Sequence, residues 1–187
     1  MKKYSAILNK INFAVLVSGT ALFFSCRDNI EIVNTSLDEN TPTQIAENFV
    51  TSYTDSALLQ VRMEAPLMKY YGKMENPYSD FPEGVIVYFY DGQDQPSGHI
   101  SANFGRYYEA DHLWEVRDSV VALNEKNELL ETELLFWDER KELIYTDKFV
   151  KITQQDQIIR GYGLESDPRF YKWTIKNVTA TLYLDDE

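Results

Sequence analysis

The stretch Trp114–Asp138, WEVRDSVVALNEKNELLETELLFWD, lies without a gap over Leu143–Asp167, LIYTDKFVKITQQDQIIRGYGLESD, when the chain is slid against itself so that Trp114 meets Leu143. Asp118 then falls on Asp147, Val121 on Val150, Leu123 on Ile152, Leu129-Leu130 on Ile158-Ile159, Leu135 on Leu164 and Asp138 on Asp167. The polar stretch Asn124–Asn127 falls on Thr153–Asp156, so turns coincide as well as strands. Within each copy apolar residues recur at every second place, the period of a strand with one buried face. Each copy therefore reads as a hairpin. A looser copy precedes them, with Val85–Phe89 as first strand, His99–Phe104 as second and Gly92–Gly98 as the turn. A unit of this length, all strand with short polar turns, fits a layered roll or sandwich better than a propeller blade, which needs roughly 40 residues.

Outward from this core the same alternation continues. Leu59, Val61, Met63 and Ala65 alternate with Gln60, Arg62 and Glu64, after which Pro66 is expected to stop the strand. Val85, Val87 and Phe89 alternate with Ile86 and Tyr88; Ile100, Ala102 and Phe104 with Ser101 and Asn103; Tyr171, Trp173 and Ile175 with Lys172 and Thr174. Helical stripes are hard to find, and the reading is one all-β domain over 45–187.

The N-terminal part follows other rules. Lys2, Lys3 and Lys10 precede an apolar run, Ile11–Phe24, that ends at Ser25-Cys26. This is the pattern of a signal peptide over 1–25, since the run falls short of the roughly 20 apolar residues of a spanning helix. Cys26 is the single cysteine, placed where processing would leave it N-terminal, so acylation of Cys26 is expected. An uncleaved short anchor is the alternative, and both readings tether the chain to a membrane. Residues 26–44 are polar, contain Pro42 and read as a flexible tether, which about 18 extended residues would let reach roughly 60 Å.

Composition removes several function classes. Three basic and no acidic residues precede Cys26, leaving 15 basic against 30 acidic residues after it. Such a surface repels nucleic acid. His99 and His112 have no cysteine within the domain to join them, so no metal site is expected. No phosphate-binding glycine motif is present, and paired carboxylates such as Asp138-Glu139 read as solvated turns. The chain is read as a non-enzyme without cofactor.

What remains is the apolar face. In a closed sandwich Val87, Phe89, Phe104, Val121, Leu123, Val150 and Ile152 are simply core. If the sheets diverge, the same face becomes a trough for hydrocarbon chains.

Phe81–Asp91 (FPEGVIVYFYD), Leu113–Val121 (LWEVRDSVV), Leu129–Asp138 (LLETELLFWD) and Ile144–Thr153 (IYTDKFVKIT) together resemble the LptC family, in its lipoprotein-like, Bacteroidetes-type form. The resemblance runs from about Tyr53 to Ser166, and ETELLFWD is its most specific part. It implies a twisted, open antiparallel β-jellyroll, V-shaped and built here of hairpin repeats, whose interior takes the lipid A acyl chains of lipopolysaccharide. It further implies partners: the LptBFG ABC transporter, and an LptA-like bridge stacked edge to edge. The location implied is the periplasmic side of the inner membrane. Groove residues expected from strand parity and repeat equivalence are Val87, Phe89, Ile100, Phe104, Trp114, Val121, Leu123, Leu130, Val150 and Ile152. The segment Phe170–Leu184, with Tyr171, Trp173 and Ile175, is the expected partner edge. The other reading is an outer-membrane surface lipoprotein whose β-sandwich binds glycan or protein, with Tyr107, Tyr108 and Trp173 as a sugar-stacking platform.

Overall fold

The computed structural model describes residues 41–92 and 95–183; Cys26, the 1–25 leader and most of the 26–44 tether lie outside these residues. The strands are β1 (Gln44–Asp55), β2 (Leu58–Tyr71), β3 (Tyr78–Phe81), β4 (Val85–Phe89), β5 (Gly98–Ala102), β6 (Phe104–Tyr108), β7 (Leu113–Leu123), β8 (Leu129–Asp138), β9 (Leu143–Thr153), β10 (Gln157–Ser166) and β11 (Trp173–Tyr183). No helix occurs among the described residues. All the strands join one antiparallel sheet.

Apart from β3–β4 and β5–β6, strands consecutive in sequence pair with one another across the turns that join them. β3 and β4 are two halves of one extended run, as are β5 and β6. β2 pairs with β3 through Lys69–Tyr71 and with β4 through Val61–Glu64. β3 pairs with β6 and β4 with β5, and β7 takes β6 along its first half and β5 along its second. The topology is a single meander with β1 and β11 as its two edges.

Every long run is interrupted near its middle, and the interruptions line up across the sheet. Asn48 (φ 51°) stands opposite Pro66, where the β1–β2 ladder skips one pair. Pro66 therefore does not end its strand, as expected from sequence; β2 continues to Tyr71, because the missing N–H falls where no ladder bond is required. Next in line come Pro82–Gly84 between β3 and β4, then Asn103 between β5 and β6, whose N–H donates to the Asp118 carbonyl. Asp118 and Ser119 both adopt left-handed conformations (φ 66° and 59°). Register then breaks between Thr132 and Phe136 on β8 and between Tyr162 and Leu164 on β10, where Gly163 has φ 74°. These positions form a crease, and the sheet folds over along it with its apolar faces inward.

The crease changes which residues point in. Ile100 and Ala102 are buried, but past Asn103 it is Gly105 that is buried, and Phe104 turns outward under the Arg117 guanidinium at 3.9 Å. On β7 the inward residues are Trp114, Val116, Val120 and Ala122, and on β9 they are Ile144, Thr146, Val150 and Ile152. The two first strands thus correspond thirty places apart, as do the hairpin turns ending at His112 (φ 52°) and Glu142 (φ 51°). The second strands correspond by one place fewer, Leu130 with Ile159 and Leu135 with Leu164, because the β9–β10 turn is one residue shorter. The ungapped superposition is right for β8 on β10 and one residue out for β7 on β9. A slip of one residue exchanges faces, so Val121 and Leu123, expected inside, lie on the outer face beside Ser101 and His99.

Candidate functional site

The folded sheet encloses two different interiors. At the β8–β11 end it is packed shut: Val150 and Leu164 have no exposed surface, and the gap among Ala122, Leu130, Ile152, Leu164, Phe170 and Trp173 is about 10 Å³. Towards β1 the halves part, leaving a hollow of about 520 Å³. On one side of the crease its wall is Val61, Met63, Val87, Phe89 and Ile100. Across from them stand Trp114, Val116, Leu135, Trp137 and Ile144, and Thr51–Tyr53 and Glu139 lie at the rim.

Aromatic stacking fixes the tryptophan wall. Phe81 packs on Trp114 with ring centroids 5.7 Å apart, and Tyr107 packs on the same ring at 4.6 Å. Trp114 Nε1 donates to Glu139 at 2.9 Å, and the Tyr107 hydroxyl donates to the same carboxylate at 3.3 Å. Burial, and then the Glu139 charge, raise the Tyr107 pKa, so the phenol stays neutral and keeps its proton for Glu139. The ring of Trp137 also lines the hollow, but its buried Nε1 has no acceptor. A buried donor without a partner costs about 1–3 kcal/mol.

The outer face is built from different chemistry. Arg106 donates to both oxygens of Asp80 (2.6 and 2.8 Å) while lying 4.3 Å above the Tyr78 ring. The bidentate contact raises the Arg106 pKa further above its ordinary value. Phe136 stacks on Tyr145 at 5.3 Å, and Phe149 meets Tyr162 edge-on.

Of the residues expected to line a groove, Val87, Phe89, Ile100 and Trp114 surround the hollow. Leu130, Val150 and Ile152 point inward at the packed end, whereas Phe104, Val121 and Leu123 face outward. Sequence reasoning missed Val61, Met63, Val116, Leu135, Trp137 and Ile144 as wall residues, although Leu135 was legible in the alignment of Leu135 with Leu164. Of the expected edge residues, Trp173 and Ile175 are on β11, with Ile175 buried, while Tyr171 precedes the strand in a loop. Tyr107, Tyr108 and Trp173 do not share a face: Tyr107 packs inward on Trp114, Tyr108 reaches Glu115 on the outer face, and Trp173 Nε1 donates to Glu128. They form no flat platform. No cluster of side chains suited to a metal ion is found among the described residues.

No curated protein matches the chain. A family model does: that of lipopolysaccharide-assembly, LptC-related proteins matches residues 13–184, extending beyond the Tyr53–Ser166 stretch on both sides. The all-β meander and that near-complete match agree, and the chain belongs to the LptC-related family, periplasmic and inner-membrane-associated proteins of lipopolysaccharide transport.

Proposed function

We propose that the hollow receives acyl chains of lipid A, and that the chain relays lipopolysaccharide from the LptBFG transporter to an LptA-type periplasmic bridge. The observation that carries this reading is the apolar space of about 520 Å³ held open between the two halves of the sheet. Burying a methylene is worth roughly 0.8 kcal/mol, so a chain leaving a bilayer meets a high barrier unless another apolar surface receives it. Walls of Val87, Phe89, Ile100 and Trp137 supply that surface without bond-making. The chain carries a formal charge of −12, which offers phosphorylated sugars little attraction, so affinity has to come from the acyl chains.

Acylated Cys26 would hold the domain at the inner membrane. The outer edge of β11, which among the described residues pairs only with β10, supports strand addition by a bridge protein. Its contribution is the backbone, since Trp173 and Ile175 direct their side chains inward and Tyr171 stands outside the strand.

A matched pair of substitutions tests the groove. Val87→Glu places a carboxylate in the hollow; Val121→Glu places one on the outer face. Titration of purified protein with lipopolysaccharide should give at least tenfold weaker binding for V87E and unchanged binding for V121E. Equal effects of the two would remove the groove from the account.

A further inference from the structure

The loop Asp167–Lys172, between β10 and β11, starts at one rim of the folded sheet and is fastened to the other. Its root lies beside Ile144 and Trp137, at the rim formed by the β8–β9 turn. Its fastenings lie at the opposite ends of the strands. Asn124, in the β7–β8 turn and only 3% exposed, donates from Nδ2 to the Phe170 carbonyl at 2.9 Å. Trp173 Nε1 donates to Glu128 at 3.0 Å, and Arg169 donates to the Gln60 side chain at 2.9 Å. Phe170, at φ 55° and 5% exposed, sits between the two halves and fills the packed end.

The loop also holds its own shape. The Asp167 carboxylate accepts from the N–H groups of Arg169, Tyr171 and Lys172, and the Asp167 carbonyl accepts from Phe170 N–H. These bonds would travel with the loop if it swung away, so only the Asn124 and Gln60 fastenings and the Phe170 contacts would be surrendered. At about 30 Å³ per water-sized group, the open hollow holds about 17 such groups, enough for one hydrocarbon chain. A lipid with several chains needs more room, and at the packed end that room is taken by Phe170.

Building on the acyl-groove reading above, we propose that Asp167–Lys172 is a releasable strap: closed, it keeps Phe170 in the packed end of the interior, and it swings out as a unit to admit a lipid with several chains. The incoming chains replace the contacts that Phe170 gives up, which is the differential affinity that any such shift requires.

The test joins strap to sheet. In a full chain carrying Cys26→Ser, Gln60→Cys and Arg169→Cys, a short bifunctional maleimide links the loop to β2, and binding of palmitate and of lipopolysaccharide is measured by calorimetry before and after linking. The expected result is palmitate affinity within twofold and lipopolysaccharide affinity at least tenfold weaker. Lipopolysaccharide binding untouched by the link overturns the strap, as does an equal loss of both ligands. Failure of the unlinked chain to bind either ligand overturns the acyl-groove reading, and the strap with it. In the unsubstituted chain, hydrogen exchange at the amides of residues 169–172 should accelerate at least fivefold with lipopolysaccharide and not with palmitate; unchanged exchange contradicts release.

Discussion

Glu128 ties together three segments that are distant in sequence. Its carboxylate accepts from Trp173 Nε1, Asn124 Nδ2 and Gln154 Nε2. Burial alone would push its pKa up, but the three donors outweigh burial and hold it below the ordinary carboxylate value. A group whose pKa is lower folded than unfolded stabilises the fold fully above its unfolded pKa, and that contribution disappears as pH falls through the folded value. The region around Glu128 should therefore be most secure above about pH 4.3 and loosen in acid below it. Glu128→Gln keeps a single acceptor oxygen, leaving donors unpaired. It should cost about 2 kcal/mol at pH 7 and flatten the acid limb of the stability profile, as read by urea unfolding across pH 3–7. An unchanged acid limb would show that the carboxylate is not the tie.

Single elements are held by backbone fit more than by side-chain identity, and β11 is the clearest case. Gly161 on β10 lies directly under it: a Cβ there would press on the Asn177 carbonyl oxygen and the Ile175 methyl. Gly161→Ala should destabilise the protein by about 1–3 kcal/mol. Faster hydrogen exchange should be confined to β11 and the loop before it, while β7 and β8 keep their protection; uniform loosening would contradict this. Much of the element pattern was legible in the sequence. The alternation of Leu59–Ala65, of Val85–Phe89 and of the two long hairpins predicted strands that are present. Faces were harder to read, because parity survives only as long as the backbone stays regular. Asn103 turns Phe104 outward, and one residue fewer in the β9–β10 turn misplaced Val121 and Leu123. β1 left no periodic signal because it is an edge strand with Ile45, Val50 and Tyr53 all exposed, so nothing imposed alternation on it.

For the whole molecule, the fold class was legible and the division of its interior was not. A meander of long strands follows from repeated hairpins with short turns. Where it folds depends on left-handed residues such as Asp118, Ser119 and Gly163, which look like ordinary turn formers in the sequence. The packed end is filled by Phe170, an apolar residue in a polar loop whose partner Asn124 lies 46 places earlier. The outcome is one end packed shut and one end held open, and the proposed acyl-chain groove is the open end. Photo-crosslinking in living cells addresses that most directly. A photoreactive residue at Val87, on the wall of the hollow, should yield lipopolysaccharide adducts, and the same residue at Val121, on the outer face, should yield none. Adducts absent at Val87, or equally abundant at Val121, would contradict transport through the interior of this sheet.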